Sequence, residues 1–397
     1  MTMTAGAGAP TSAVLRLDKL GVPIAVIAGL GAFTPYAVLR ANRIVPGMGE
    51  HLVSALPPWE AAALALLLAA ATAIALFRTP ALLRLGASLV MLLALLVSIG
   101  HAGHHLTPEG DTLARVSPGA GFWLLLFAFA LLAADALTRL RPRPLLRIAI
   151  LGGVAAAIAL LLLSGVWSEL STLKEYANRA DAFWREGQTH IILAFGSLLA
   201  ATLVGIPLGI LCHRVPRLRA SVLNTLNMIQ TIPSIALFGL LIAPLAWVAA
   251  NVPLAAALGV SGIGMAPALV ALFAYSLLPV VANTVVGLEG VPPAADDAAK
   301  GMGMTDRQRL FQVELPLAFP VILTGIRIVL VQNIGLATIA ALIGGGGFGV
   351  FVFQGIGQTA MDLVLLGAVP TVVLAFAAAV VLDALVEMLS TREPRRD

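Results

Sequence analysis

Few residues in this sequence have the type and spacing to do chemistry, and the obvious sets fall away one by one. His101, His104 and His105 stand near Glu109 and Asp111 and could gather a metal, but no His-Glu-x-x-His spacing accompanies them, and a solvated loop explains them more simply. The lone Cys212 excludes an internal disulfide framework and a cysteine-based zinc or iron–sulfur site. Gly344 to Gly347 with Gly349 lack the Gly-Lys-Ser/Thr that would make a nucleotide loop. Neither a Ser-His-Asp set nor a catalytic carboxylate pair supports an enzyme. What remains is polarity in apolar surroundings: the charged stretch Glu289 to Pro316, Arg327 inside an apolar run, and Gln230, Asn283, Gln332 and Asn333 in others. Intramembrane charge is costly and marks a functional position by default.

The surroundings that must position these residues are a membrane. Of 397 residues, 59% are hydrophobic and 11% charged, and the mean hydropathy is +0.98, far more apolar than a soluble domain with about a quarter of its residues charged. The net charge of +4 is too small and diffuse for a nucleic-acid binder, whose bases cluster on one face. A helix needs about 20 apolar residues to cross the hydrocarbon core. Ten such runs lie near Leu20 to Leu39, Trp59 to Phe77, Leu82 to Gly100, Ala120 to Leu140, Leu145 to Val166, His190 to Cys212, Val222 to Trp247, Gly264 to Leu288, Leu317 to Leu342 and Asp362 to Leu389. The expected fold is all-α and polytopic, with about ten transmembrane helices. The first run follows Arg16 and Lys19 as a signal peptide would; its length, Pro23 and Pro35, and the absence of a small-residue cleavage site favour a retained helix.

With the N-terminus inside, seventeen of the 24 lysines and arginines fall in cytoplasmic segments, six in outer segments and Arg327 within a span. Basic residues favour the cytoplasmic side, so both termini are expected inside. Tryptophan prefers the interface, and Trp59, Trp123, Trp167 and Trp247 all fall at outer helix ends in this topology.

Four regions follow. Residues 1–167 form an N-terminal accessory region of about five Ala/Leu-rich helices. Residues 168–189 (SELSTLKEYANRADAFWREGQT) are too polar to cross, and Leu170, Leu173, Tyr176, Ala177 and Phe183 share one helical face; an outer amphipathic helix on the membrane is expected, a solvated linker being the alternative. Residues 190–390 carry glycines, prolines and amides within their spans, and 391–397 form a cytoplasmic tail. Interrupted helices persist in a membrane only where protein or a water-filled path satisfies their backbone, so transport chemistry belongs to this second half. No repeat relates the halves, which disfavours a carrier built from inverted repeats.

Within 289–316, Pro292 and Pro293 suit a first helical turn, Asp296 and Asp297 sit where the dipole favours anions, Lys300 comes late, and Gly301 and Gly303 can end the helix left-handed. A second amphipathic helix from Thr305 to Glu314 starts with Thr305 as N-cap and Gln308 at the capping-box position, and Pro316 marks entry to the next span. By geometry alone this is a rigid knob between two membrane helices. Gln230, Pro233, Ser234, Pro279, Asn283, Gln332 and Asn333 are candidates for a translocation path. The prolines bend helices and free carbonyls, with a simple packing kink as the alternative; the amides serve a path or interhelical hydrogen bonding equally well. Arg327 suits pairing with an acid or carbonyls as well as substrate contact. Asp135, Asp383 and Glu387 lie toward cytoplasmic helix ends, in reach of water. The glycine run cannot form a stable mid-membrane helix, since each glycine lowers helix propensity by about 1 kcal/mol; it is placed as a turn or re-entrant segment at the outer end of the ninth span.

Asp297-Ala298-Ala299, three residues, Gly303, nine residues and Val313-Glu314-Leu315-Pro316 resemble the EAA loop of ATP-binding-cassette importer permeases, with Asp297 in place of the usual Glu. The resemblance implies a type I importer (MetI-like) permease core in the C-terminal half and an ATPase-coupling role for Asp297, Ala298, Ala299, Lys300, Gly303, Leu315 and Pro316. Gln230 to Ser234, Tyr275 to Pro279, Asn283-Thr284, Gly301 to Thr305, Gly325 to Arg327 and Thr338 to Ala341 further resemble the permeases for glycine betaine, choline, carnitine and related osmoprotectants. That resemblance covers about His190 to Leu389. Leu173 to Asp181 and the extra spans resemble a longer subgroup with the same core. It implies a bacterial inner-membrane subunit working with a cytoplasmic ATPase that binds ATP and Mg, a solute-binding protein outside, a second permease subunit and membrane lipid, with no cofactor on this chain. A permease for another small solute of amino-acid type, or an ion-coupled secondary transporter, are the alternatives.

Overall fold

The computed structural model describes residues 16–42 and 45–390; Arg43 and the tail assigned to 391–397 lie outside them. Among the described residues nine helices are long and apolar enough to cross a membrane, and a shorter apolar helix, α1 (Gly21–Phe33), accompanies them. The first expected span is therefore cut from Leu20–Leu39 to 13 residues. The reason is local: a residue preceding proline is disfavoured in the helical region, and Thr34, before Pro35, turns extended at φ −96° and ψ 158°. The chain then runs as β1 (Ala37–Arg40).

The described chain divides into two compact units, one drawn from residues up to Pro142 with Ile158–Leu173, the other from Arg143–Ala157 with the chain from Lys174 onward. In the first, β1 is flanked by β2 (Met48–Glu50) and β3 (Arg115–Pro118) in the antiparallel order β2-β1-β3, with Leu39 opposite both Met48 and Val116. This small sheet, with isolated bridges at Leu17–Phe77 and Val116–Leu170, departs from the otherwise helical architecture. After the short α2 (Leu52–Ala55) come the long helices α3 (Pro58–Leu76), α4 (Ala81–Leu106) and α5 (Ala120–Leu140). Ile24, Met91, Leu95, Leu125 and Phe129 are fully buried among them.

One loop expectation changes here. The helix α4 extends through His101, His104 and His105, so these are helical residues, and His101 Nδ1 lies 2.9 Å from Glu60 Oε2. Arg84 is in the first turn of α4, completely buried, 3.4 Å from Asp18 and 3.2 Å from Asp135, while Arg139 reaches both acids at 2.9 Å. Burial pushes the Asp18 carboxyl up, but the Arg139 hydrogen bond, the Gly21 N–H and the Arg84 charge outweigh it and hold it below the usual carboxylate range.

Next come α6 (Pro144–Leu163) and α7 (Ser171–Asn178), each contributing to both groupings, and then α8 (Ala180–Arg214), a 35-residue helix. The segment 168–189 is thus two helical pieces broken near Arg179, the second continuous with a membrane helix. Its apolar face has a protein partner: Phe183 stacks over Phe348 and Phe351 at ring distances of 5.2 and 6.2 Å, with Tyr176 edge-on to Phe183.

The second unit continues with α9 (Pro216–Thr231), α10 (Ser234–Leu240), α11 (Ile242–Asn251), the short α12 (Pro253–Ala257) and α13 (Met265–Glu289). The loop helices α14 (Pro293–Gly301) and α15 (Asp306–Arg309) follow, then α16 (Leu315–Ala337), α17 (Gly349–Gly357) and α18 (Met361–Ser390). Helices α13 and α16 pack tightly because Gly325 has no side chain; a Cβ there would stand 2.7 Å from Asn283 Cβ. The expected span Val222–Trp247 is not one helix: the backbone is extended at Ile232 and Pro233, and α10 starts afresh at Ser234.

Candidate functional site

At one end of the second unit the chain between α13 and α16 forms the projecting loop. Helix α14 has Pro293 in its first turn and Asp296 near its start, and it ends in a Schellman motif: Gly303 N–H donates to Lys300 O at 2.9 Å and Met304 N–H to Ala299 O at 3.1 Å, with Gly303 at φ +80°. A new helix begins at once, with a complete capping box between Thr305 and Gln308. Between these caps the loop has little freedom. Asp297 and Ala298 face solvent, Lys300 and Gly303 are exposed, and Ala299 is buried.

Pro316 stands in the first turn of α16, at the entry to the span where the sequence places it, and no break precedes it. Leu310–Glu314 form a π turn that runs directly into α16, with Leu315 N–H bonded to Leu310 O. A proline supplies no N–H and crowds the carbonyl four residues back; the wider π turn absorbs the misfit, and such turns mark local strain at functional places. Leu315 and Pro316 accordingly belong to the start of α16.

Arg309, Arg214 and Arg219, which stand outside the loop motif, bind the loop to itself and its neighbours. Arg309 donates to Asp296 Oδ1 at 2.6 Å and to Asp306 Oδ1 at 2.5 Å, and Lys300 Nζ stands 2.6 Å from Asp296 Oδ2. The hydrogen bond from Lys300, aided by the Arg309 and Lys300 charges, holds the Asp296 carboxyl below its ordinary range against desolvation, and raises Lys300 in turn. Beyond the loop, Arg214 Nη2 donates to both oxygens of the buried Glu314, at 2.9 and 2.7 Å, and Arg219 forks onto Glu289. Motif spacing pointed to Asp297; the acid with the structural bonds is its neighbour.

Farther along the same helices, Gln230, Thr231, Ile232, Pro233, Ser234, Tyr275, Gln332 and Leu336 line an open cavity of about 310 Å³. It exists because α9 stops at Thr231. Gln230 Nε2 donates to Tyr275 O at 2.8 Å, and the Tyr275 hydroxyl donates to Ile232 O, so the freed backbone at the break is held from α13. Of the proposed path residues, Gln230, Pro233, Ser234 and Gln332 meet at this cavity, and the other three lie elsewhere. Pro279 O accepts from Asn283 Nδ2 within α13 at 2.8 Å. Asn333 is fully buried and joins three helices, donating to Ser197 Oγ at 2.8 Å and Ser276 Oγ at 2.9 Å. Tyr275 was legible as part of a motif but not as a wall of this cavity, since it lies 45 residues from Gln230 in sequence.

Arg327 reaches Asp383 Oδ1 at 2.5 Å, while Arg147 takes Asp383 Oδ2 at 3.0 Å and Glu387 at 2.8 Å. Both acids hold ion pairs and remain partly exposed, at 41% and 42%, in reach of water. At the opposite end from the loop, Gly344, Gly346 and Gly347 adopt positive φ, and Gly347 N–H donates to Glu186 Oε2 at 2.7 Å. The glycine run is a turn between a 3₁₀ segment (Ile339–Ile343) and α17, fixed to α8.

A bundle of apolar helices, a rigid double-capped loop and a cavity at a helix break together are the architecture of a membrane permease. Residues 205–393 match the family described as binding-protein-dependent transport system inner membrane component, and residues 18–173 match the N-terminal domain of the ABC transporter permease YehY. The chain is 42% identical over 200 residues to the osmoprotectant import permease protein OsmW of Salmonella typhimurium, covering 50% of this chain and 86% of that protein. It is 38% identical over 186 residues to the choline transport system permease protein OpuBB of Bacillus subtilis, covering 47% and 78%. A solved inward-facing methionine ABC transporter, MetNI, superposes with a TM-score of 0.46 at 21% identity, over 53% of this chain and 96% of that one. The chain belongs to the binding-protein-dependent permease family, the membrane-spanning component of ABC importers, in a form with an added N-terminal domain.

Proposed function

We propose that this permease carries a small osmoprotectant such as glycine betaine, choline or carnitine across the bacterial inner membrane, with both termini on the cytoplasmic side. A solute-binding protein delivers the solute outside, and this chain with a second permease subunit forms the path. A cytoplasmic ATPase, which binds the ATP and Mg, drives the cycle through the 289–316 loop. The observation that carries the coupling role is the combination of an exposed Asp297-Ala298 face with a loop capped at Gly303 and Thr305, which makes it a stiff part suited to transmitting force. Relatives named for osmoprotectants and choline support the solute class. The solute would pass the cavity walled by Gln230, Pro233, Ser234, Tyr275 and Gln332. A quaternary ammonium is recognised by aromatic faces, and one tyrosine at the cavity suits transient contact, with selectivity left to the binding protein.

Reconstitution in vesicles with the ATPase and binding protein tests this. Uptake of labelled glycine betaine, choline or carnitine should require ATP and all components, and exceed that of methionine. Uptake that persists without the ATPase and follows an ion gradient would overturn the reading.

A further inference from the structure

The corner between α8 and α9 touches the projecting loop at both of its ends. Arg214, the last residue of α8, grips Glu314 where the loop returns to α16. Arg219, in the first turns of α9, grips Glu289 where α13 leaves for the loop. These four residues lie in three separate parts of the sequence, yet the acids bracket the loop and both bases flank one corner, at Val215, between α8 and α9.

Helix α9 connects this corner to the cavity. It has 16 residues, about 24 Å at 1.5 Å per residue, and its far end supplies Gln230 and Thr231 to the cavity wall. There Gln230 donates to the Tyr275 carbonyl of α13, and the Tyr275 hydroxyl donates to Ile232 O at the Pro233 break. Tyr275 lies midway along α13, which ends at Glu289. Thus α9 and α13 are joined twice, by Arg219–Glu289 at the loop end and by Gln230–Tyr275 at the cavity end, around the α9/α10 break. The arrangement is a lever held at one end by ion pairs that tolerate small rotations and at the other by a hinge in the backbone.

We propose that Arg219 and Arg214 are positioning residues for transport: through Glu289 and Glu314 they tie α9 to the loop, so that a displacement of the loop moves the Gln230–Ser234 wall of the cavity. The proposal rests on the importer reading above. It assigns a function to residues outside the recognised loop motif, and it predicts that breaking the tie leaves ATP hydrolysis running while solute no longer follows.

Arg219 and Glu289 are the pair to test, because both side chains are partly exposed, at 38% and 44%, and reversal leaves no buried charge. The full complex in vesicles is assayed for ATP hydrolysis and for glycine betaine uptake with Arg219→Glu, Glu289→Arg and the double reversal. Each single reversal should keep subunit assembly and ATP hydrolysis but lower uptake per ATP about tenfold, in the range typical of coupling between sites; the double reversal should restore most of the ratio. An unchanged ratio in the single variants, or a double variant no better than either, overturns the proposal while ATP-driven uptake by the unaltered complex keeps the importer reading standing. Absence of that uptake in the unaltered complex overturns both. Where a reversal lowers the yield of assembled complex, Arg219→Gln and Glu289→Gln replace it, with the same ratio as the readout: a fall supports the tie and constancy refutes it.

Discussion

The first unit draws Asp18, Arg84, Asp135 and Arg139 into one set, with the guanidinium of Arg84 wholly enclosed. Around the loop of the second unit the charges run as an open chain, Lys300–Asp296–Arg309–Asp306, with two further pairs near helix ends, beside a π turn and a left-handed glycine, and Asp297 stays 75% exposed next to Lys300. An ion set removed from water keeps its geometry, because any displacement leaves an uncompensated charge in a medium that solvates it poorly. Pairs that remain wet are weak and exchange partners readily. The difference separates a part built to stay fixed from a part built to move, in a chain where both use the same residue types.

The largest effect should come from opening the fixed set. Arg84→Met leaves Asp18 and Asp135 facing each other with Arg139 alone between them. Removing one partner of a buried pair costs about 3–5 kcal/mol, so thermal unfolding of the detergent-solubilised protein should shift down by several degrees. An equal loss of stability from Arg219→Met in the loop region would erase the distinction between the two kinds of charge.

Next in size is Gly303→Pro. The φ of +80° at Gly303 is closed to proline, and its N–H to Lys300 O is lost as well. No atom crowds a Cβ at this position, so the penalty is one of backbone conformation; together these cost about 2–3 kcal/mol, confined to the loop. Insertion and overall unfolding should be unchanged while ATP hydrolysis no longer supports uptake. A variant with wild-type coupling would show that the loop does not need its rigid end.

Much of this contrast was legible in the sequence where cause and effect are close together. Thr305 and Gln308 are three residues apart, and their capping box is present; eight of the ten apolar runs became long helices, since no alternative satisfies the backbone in lipid. What was not legible involves partners far apart. Arg219 and Glu289 are 70 residues apart and Arg84 and Asp18 are 66, and no periodicity announces such pairs. Strand β1 meets β3 across a comparable distance, so Leu39 reads as the end of a helix until Val116 is placed beside it. Asn333 shows a different limit: an amide within an apolar span signals a polar neighbour, but a water-lined path and two serines on facing helices, Ser197 and Ser276, are equivalent in sequence. Pro316 was legible as the entry to its span, but the five-residue π turn that joins α15 to α16 without a break was not.

The smallest effect sharpens the comparison through pH. In the folded loop the Asp296 carboxyl titrates below its ordinary value of 3.8, chiefly because Lys300 donates to it, and Lys300 titrates above its ordinary 10.5 because Asp296 accepts. A lowered acid contributes stability that is full above its unfolded value and is lost as pH falls through the folded one; a raised base contributes stability that is full below its unfolded value and is lost as pH rises through the folded one. The contribution of this pair to α14 is therefore flat across the neutral range and fades below about pH 4 and above about pH 10. Hydrogen exchange at the Gly303 and Met304 amides, which close the Schellman motif, should show protection constant between these limits once corrected for intrinsic rate. Asp296→Asn should reduce that protection at neutral pH and remove its acid dependence, whereas Asp297→Asn should do neither, because Asp297 faces solvent and stands 3.5 Å from Lys300. Equal responses to the two substitutions would mean that the loop distinguishes no structural acid from an outward-facing one, and that its charges act as a diffuse patch.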